Sequence, residues 1–214
     1  TFLIVYREHW YNRRIMLLEL DWKLIAALAA TFFGIASFVP YIIEIFAGKT
    51  KPHAYTWLIW GITQGTATFA VFKGGGGDVG YTLVILTALI FVIFFLSLRY
   101  GTKNIKKSDT VALAAALLAV VVWWQLDNPV LAVLMVTAID GVGYFPTYRK
   151  LLTEPWSESF LAWIFCCISY ALSLFALSEY NVLTISYLLL SLVAGILLLA
   201  ISFAGRLRIP KPAQ

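Results

Sequence analysis

The sequence predicts an all-α polytopic membrane protein with seven transmembrane helices in a three-plus-one-plus-three, parallel-repeat arrangement. Three observations predict it: an apolar composition, seven long apolar runs, and an internal duplication. Of 214 residues, 61% are hydrophobic and 13% charged, with a mean hydropathy of +0.86. So little polar chain remains that no soluble domain of this length is compatible with it. Apolar runs near 20 residues match a hydrocarbon core roughly 30 Å thick. They extend over Leu24 to Ala47, Ala54 to Phe72, Val79 to Leu98, Thr110 to Leu126, Pro129 to Tyr148, Ser159 to Ser178 and Val182 to Ala204. The runs are continuous, whereas barrel strands alternate apolar and polar residues over about ten positions.

The duplication is read from one spacing. Pro40 and Pro146, Trp57 and Trp163, Ile62 and Ile168, Tyr81 and Tyr187, and Ala88 and Ala194 are all separated by 106 residues. A fixed offset without insertion marks a repeated unit. Each copy holds three helices, so two copies joined directly would lie antiparallel in the membrane. The fourth run has no counterpart and restores the parallel orientation. The chain thus divides into an N-terminal interfacial segment (1–22), a first three-helix bundle (23–100), a loop and inverting linker helix (101–128), a second bundle (129–205) and a cytoplasmic tail (206–214).

Charge sets the orientation. The formal net charge is +5, but the basic residues sit at helix ends, which is a topogenic signal and not a nucleic-acid footprint. Arg7, Arg13, Arg14, Lys23 and Lys73 fall on one side. The other side holds the remaining eleven of the 16 Lys and Arg, among them Lys49, Lys51, Arg99, Arg149, Lys150 and Arg206. The amino terminus is therefore expected outside and the carboxyl terminus in the cytoplasm, in the plasma (inner) membrane.

In chain order, Thr1 to Trp22 places Trp10 and Trp22 among Arg7, Arg13 and Arg14, as an interfacial anchor would. No small-residue cleavage site follows, so no removable leader is expected, and Met16 would make a plausible start, so no function is built on the residues before it. The first helix carries Gly34, Ser37 and Pro40 in a bulky run; a proline there frees a carbonyl and bends the helix. The second is unusually polar, with Trp57, Trp60, Thr63, Gln64, Thr66 and Thr68. Gly74 to Gly77 before Asp78 lacks the Lys-Ser or Lys-Thr of a phosphate cradle and reads as a turn. Cys166 and Cys167 are adjacent, cannot pair with each other without strain, and read as small packing residues.

At the repeated proline the chain resembles the PQ-loop and SWEET membrane proteins. That family carries a proline followed by Gln and two apolar residues, with Lys-Ser some nine residues on. Here Pro40 is followed by Tyr41, Ile42 and Ile43, with Lys49-Thr50 at that spacing; the second copy reads Pro146-Thr147, then Arg149-Lys150. The resemblance covers about Leu20 to Ala204. It implies hinge prolines at Pro40 and Pro146 and transport of a small polar solute such as a sugar or an amino acid. Both Gln positions differ, and the Asn that sugar-type members place on the third helix of each bundle has no counterpart in Val79–Leu98 or Val182–Ala204.

A solute site is expected at the repeat interface near the bilayer midplane. Trp57 and Trp163 are equivalent and either sandwich a ring or cation, or belong to an interfacial belt. Trp60 and Gln64 share a helix face, and Gln64 corresponds to Tyr170, so the lining is asymmetric. Asp140 stands eleven residues into its helix, about 16 Å at 1.5 Å per residue. An acid at that depth marks a proton or ion pathway or is held by Thr or Tyr for packing alone; its counterpart is Gly34. Glu44 and Lys150, opposite charges at equivalent positions, form a cytoplasmic gate or two solvated helix ends. Tyr81 and Tyr187 close the outer mouth or sit in the belt. The expectation is a carrier working by alternating access, with Asp140 as proton-coupling residue. A sorting receptor on the same fold and a non-transporting accessory subunit are the alternatives. No enzyme activity, cofactor, metal or nucleic acid is expected, the lipid bilayer is the partner, and a homo-oligomer is left open.

Overall fold

The computed structural model describes residues 22–73, 77–123, 125 and 128–211, the side chains of 70–73, 77–83, 129 and 183 excepted. The expected N-terminal anchor, most of the glycine turn and the side chain of Tyr81 lie outside the described residues. Seven helices occur within them: α1 (Trp22–Phe46), α2 (Ala54–Lys73), α3 (Gly77–Tyr100), α4 (Lys107–Trp123), α5 (Pro129–Leu151), α6 (Phe160–Ala176) and α7 (Val182–Arg208). Three of these contain segments both long and apolar enough to cross a membrane: Trp22–Phe46, Val130–Leu151 and Thr184–Arg208. Val84–Tyr100 and α6 are shorter apolar helices.

Sequence chemistry sets the ends. Pro40 has no N–H to offer the Ala36 carbonyl. The helix opens into a turn at Ser37 and resumes over Phe38–Phe46. Pro146 has the same chemistry but lies inside an unbroken α5. α1 stops at Gly48, which has a φ of 69°, a conformation that costs a residue without Cβ little. Asn128 caps α5 through Val130 N and Leu131 N, with Pro129 in its first turn. At the end of α3, a Cβ on Gly101 would lie 2.5 Å from the Pro52 carbonyl. Its absence lets Thr102 N donate to that carbonyl at 3.1 Å.

The packing repeats with the sequence. In the first copy α3 packs on both α1 and α2; in the second α7 packs on both α5 and α6. Across the copies α1 packs on α6 and α2 on α5, and the 106-residue offset exchanges these two contacts. α4 lies against α2 and α5. Lys51 N donates at 2.9 Å to the carbonyl of Ser157, the residue 106 positions further on.

Polarity is turned inside out relative to a water-soluble bundle. Phe32 is 66% exposed, Val111 68% and Phe203 57%, whereas Thr63, Thr147, Asp140, Lys150 and Glu158 are buried. An apolar outside around a polar inside is the arrangement a lipid solvent favours.

Candidate functional site

Between the two bundles lies a cavity of about 470 Å³, with walls from α1, α2 and α3 on one side and α5, α6 and α7 on the other. It contains Trp57, Trp60, Gln64, Asp140, Trp163 and Tyr170, all six residues expected to line a site. The aromatic side chains form one connected group. Trp60 stands 5.3 Å from Trp57, 4.7 Å from Tyr144 and 5.9 Å from Trp163 between ring centroids, all edge to face. Trp57 and Trp163 are both buried within this group.

Asp140 enters the cavity wall from α5. Thr63 Oγ1 on α2 donates to its Oδ1 at 2.9 Å, the Tyr187 hydroxyl on α7 engages the same carboxylate, and Trp60 Nε1 donates to its backbone carbonyl at 3.2 Å. The repeat counterpart of this cluster explains why the acid occurs once. Thr63 corresponds to Ser169 and Asp140 to Gly34. Ser169 Oγ crosses the glycine and donates to the Ala30 carbonyl at 2.7 Å. A Cβ on Gly34 would already lie 3.0 Å from that oxygen. One crossing carries a carboxylate and the other a hydroxyl over bare backbone. Tyr187, expected near the outer mouth, thus reaches Asp140, and its ring lies 6.4 Å from that of Tyr170.

Below the rings a buried ion pair closes the end that carries most of the basic residues. Lys150 Nζ lies 2.5 Å from Glu158 Oε1 and donates to the Lys51 carbonyl at 2.7 Å, across the bundles. Glu158 Oε2 accepts from the Tyr41 hydroxyl at 2.8 Å and from Trp163 Nε1 at 3.0 Å. Trp57 Nε1 donates to Tyr41 at 3.3 Å. The equivalent tryptophans therefore hang from one acid by different routes. Lys150 pairs with Glu158 and not with Glu44, which accepts from Thr50 Oγ1 at 2.8 Å. Pro40 and Pro146 do not line the cavity.

A second polar cluster ties the same end together. Asp109, in the first turn of α4, accepts from Arg149 Nε at 2.7 Å and from Lys106 N at 2.8 Å, with His53 Nε2 at 3.3 Å. Arg149 also donates to the Asn104 side chain and carbonyl, and Asn104 donates to Glu154. Burial opposes the charge on Asp109, but the Arg149 and Lys106 hydrogen bonds hold its carboxyl below the usual range. Burial drives the His53 imidazole down to about 4, against the pull of Asp109. His53 is thus neutral at pH 7, its Nε2–H donated to Asp109.

Tyr41, Thr63, Tyr144 and Glu158 complete the site, and sequence reasoning did not select them. Tyr41 had a signal, since it occupies the position after the repeated proline. Comparison of the chain with protein-family models, curated sequences and solved structures finds no match in any of the three.

Proposed function

We propose that this chain is an integral membrane carrier of a small polar solute, a member of the PQ-loop and SWEET-type superfamily. It crosses the bilayer seven times, with its amino terminus outside and its carboxyl terminus in the cytoplasm. The observation that carries this reading is the cavity between two repeat-related bundles with Asp140 in its wall. A packing-only acid would not need a solute-sized space beside it. The Lys150–Glu158–Tyr41 layer is the closed cytoplasmic gate, and rocking of the bundles about Pro40 and Pro146 gives access from alternate sides. Asp140 binds and releases the coupling proton. A peptide-sorting receptor would require a strongly basic pocket inside the membrane, and no Lys, Arg or His is among this cavity's described lining residues; Lys49, Lys51, Arg206 and Lys211 line a separate pocket that also holds Glu44, Glu154 and Glu158.

The test is uptake into proteoliposomes of amines, sugars and amino acids, with no proton gradient and with proton gradients of either direction. A substrate of the wild type should lose the gradient-driven component in Asp140→Asn while exchange of solute for solute persists. Unchanged gradient-driven uptake in that variant sinks the proton role. Absence of movement of every solute sinks the carrier reading.

A further inference from the structure

The chemistry of the cavity wall narrows the solute class. Asp140 is the single charged side chain among the described lining residues. Its side-chain partners, Thr63 and Tyr187, are neutral. The nearest buried cation beneath the rings, Lys150, is already matched by Glu158. The site therefore holds one carboxyl group for which the protein itself supplies no counter-charge.

The rings strengthen that bias through where their polar atoms point. Trp57 Nε1 is given to Tyr41, Trp60 Nε1 to the Asp140 carbonyl, Trp163 Nε1 to Glu158 and the Tyr41 hydroxyl to Glu158. With these donors committed to protein acceptors, the indoles offer a solute π surface and not hydrogen bonds. A ring face is the negative end of the aromatic quadrupole and attracts cations. An anion would meet a carboxylate with no opposing charge. A sugar would need several donors and acceptors, and the wall's remaining polar groups, such as Gln64, Tyr170 and Ser173, are few against its ring and aliphatic carbon.

We propose that the solute is a compact organic cation, a protonated amine or quaternary ammonium, seated against the Trp57–Trp60–Tyr144–Trp163 rings with its charge balanced by Asp140. The proposal rests on the carrier reading and names its substrate class. Proton and cation are alternatives at one carboxylate. As the cation seats, the proton leaves Asp140 for solvent, and it returns when the cation departs, so coupled transport is an exchange of one for the other.

The probes are choline and its uncharged isostere 3,3-dimethylbutan-1-ol, which differ by a quaternary nitrogen against a carbon, with butylammonium as a second cation. Binding is measured by titration calorimetry on the full chain in detergent. Choline should bind at least about tenfold more tightly than the isostere, a preference set by charge and not by shape. Asp140→Asn should cut that preference several-fold, leaving the part the rings supply, and Asp140→Glu, which keeps the charge, should retain it. Wild-type protein that binds the isostere as well as choline, or that binds neither choline nor butylammonium, overturns the proposal. So does a loss in Asp140→Glu as complete as in Asp140→Asn when both elute and melt like the wild type. A carrier that moves sugars or neutral amino acids but no cation overturns the substrate class and leaves the carrier reading standing. A chain that binds choline with the expected preference yet moves nothing across proteoliposomes overturns the carrier reading alone.

Discussion

Lys150 and Glu158 show what a single buried pair does in this fold. Both side chains are essentially inaccessible, and the pair also orients Tyr41 and Trp163. Glu158→Gln leaves the ammonium buried among carbonyls, a change that typically costs about 3–5 kcal/mol. The expected result is a large drop in thermal unfolding temperature in detergent. Adding Lys150→Met should restore most of it, because the uncompensated charge, and not the lost contact, carries the penalty. If the double variant is no more stable than the single one, that account is wrong. Space is as specific as charge. A Cβ on Gly143 would come within 2.6 Å of Trp60 Nε1 and 3.2 Å of Ile59 Cγ2. Gly143→Ala should therefore push Trp60 off the Asp140 carbonyl and cost about 1–3 kcal/mol of stability. A shift in tryptophan emission would report the displacement, and an unchanged spectrum with an unchanged melting temperature would show that the indole is not held there.

Helix extents were the most legible feature, because a long apolar run has one physical reading in a chain this hydrophobic. The partner of Lys150 was not legible, for a geometrical reason. Equivalent residues of a twofold repeat meet only near the axis. Lys51 and Ser157, at the 106-residue offset, do bond; Glu44 and Lys150 do not, and each finds another group. The asymmetry at Asp140 was visible as a lone acid, but its crossing with Thr63 required knowing that α2 packs on α5. The end-on cluster that joins α2, α4 and α5 has a consequence in pH. His53 titrates near 4 in the folded chain against about 6.5 when unfolded. Above about pH 6.5 it is neutral in both states. As pH falls from there towards 4, the unfolded chain takes up a proton that the folded chain refuses, and stability is lost, by on the order of 3 kcal/mol at most. Asp109, held low, contributes stability that is present above the ordinary carboxylate pKa and lost at still lower pH. Melting temperatures at about pH 7 and pH 4.5 should separate clearly for the wild type and less so for His53→Gln. Equal slopes for the two proteins would remove His53 from the account.

At the scale of the whole molecule, two bundles meet through contacts that the 106-residue offset exchanges, α1 on α6 and α2 on α5. Carrier motion requires that these contacts open at one end while holding at the other, and the structure offers a place to block it. Thr56 on α2 and Thr147 on α5 meet across the bundles, their hydroxyl oxygens 3.0 Å apart, beside the Lys150–Glu158 layer. Replacing both by cysteine puts two thiols at a separation a disulfide can close. The native Cys166 and Cys167 are first changed to alanine, so that any bond formed is the intended one. Oxidation should trap the Lys150 end shut and abolish net uptake, and reduction should restore it. Choline binding to the oxidised protein should survive, since the ring cluster and Asp140 lie on the far side of the cross-link from the Lys150–Glu158 pair. Full uptake by a demonstrably cross-linked protein would mean that solute crosses without separation of α2 and α5, and the two-bundle mechanism would have to be given up. Loss of both binding and uptake on oxidation would place the cavity's entrance at the Lys150 end instead, reversing the assignment of which mouth is closed in this conformation.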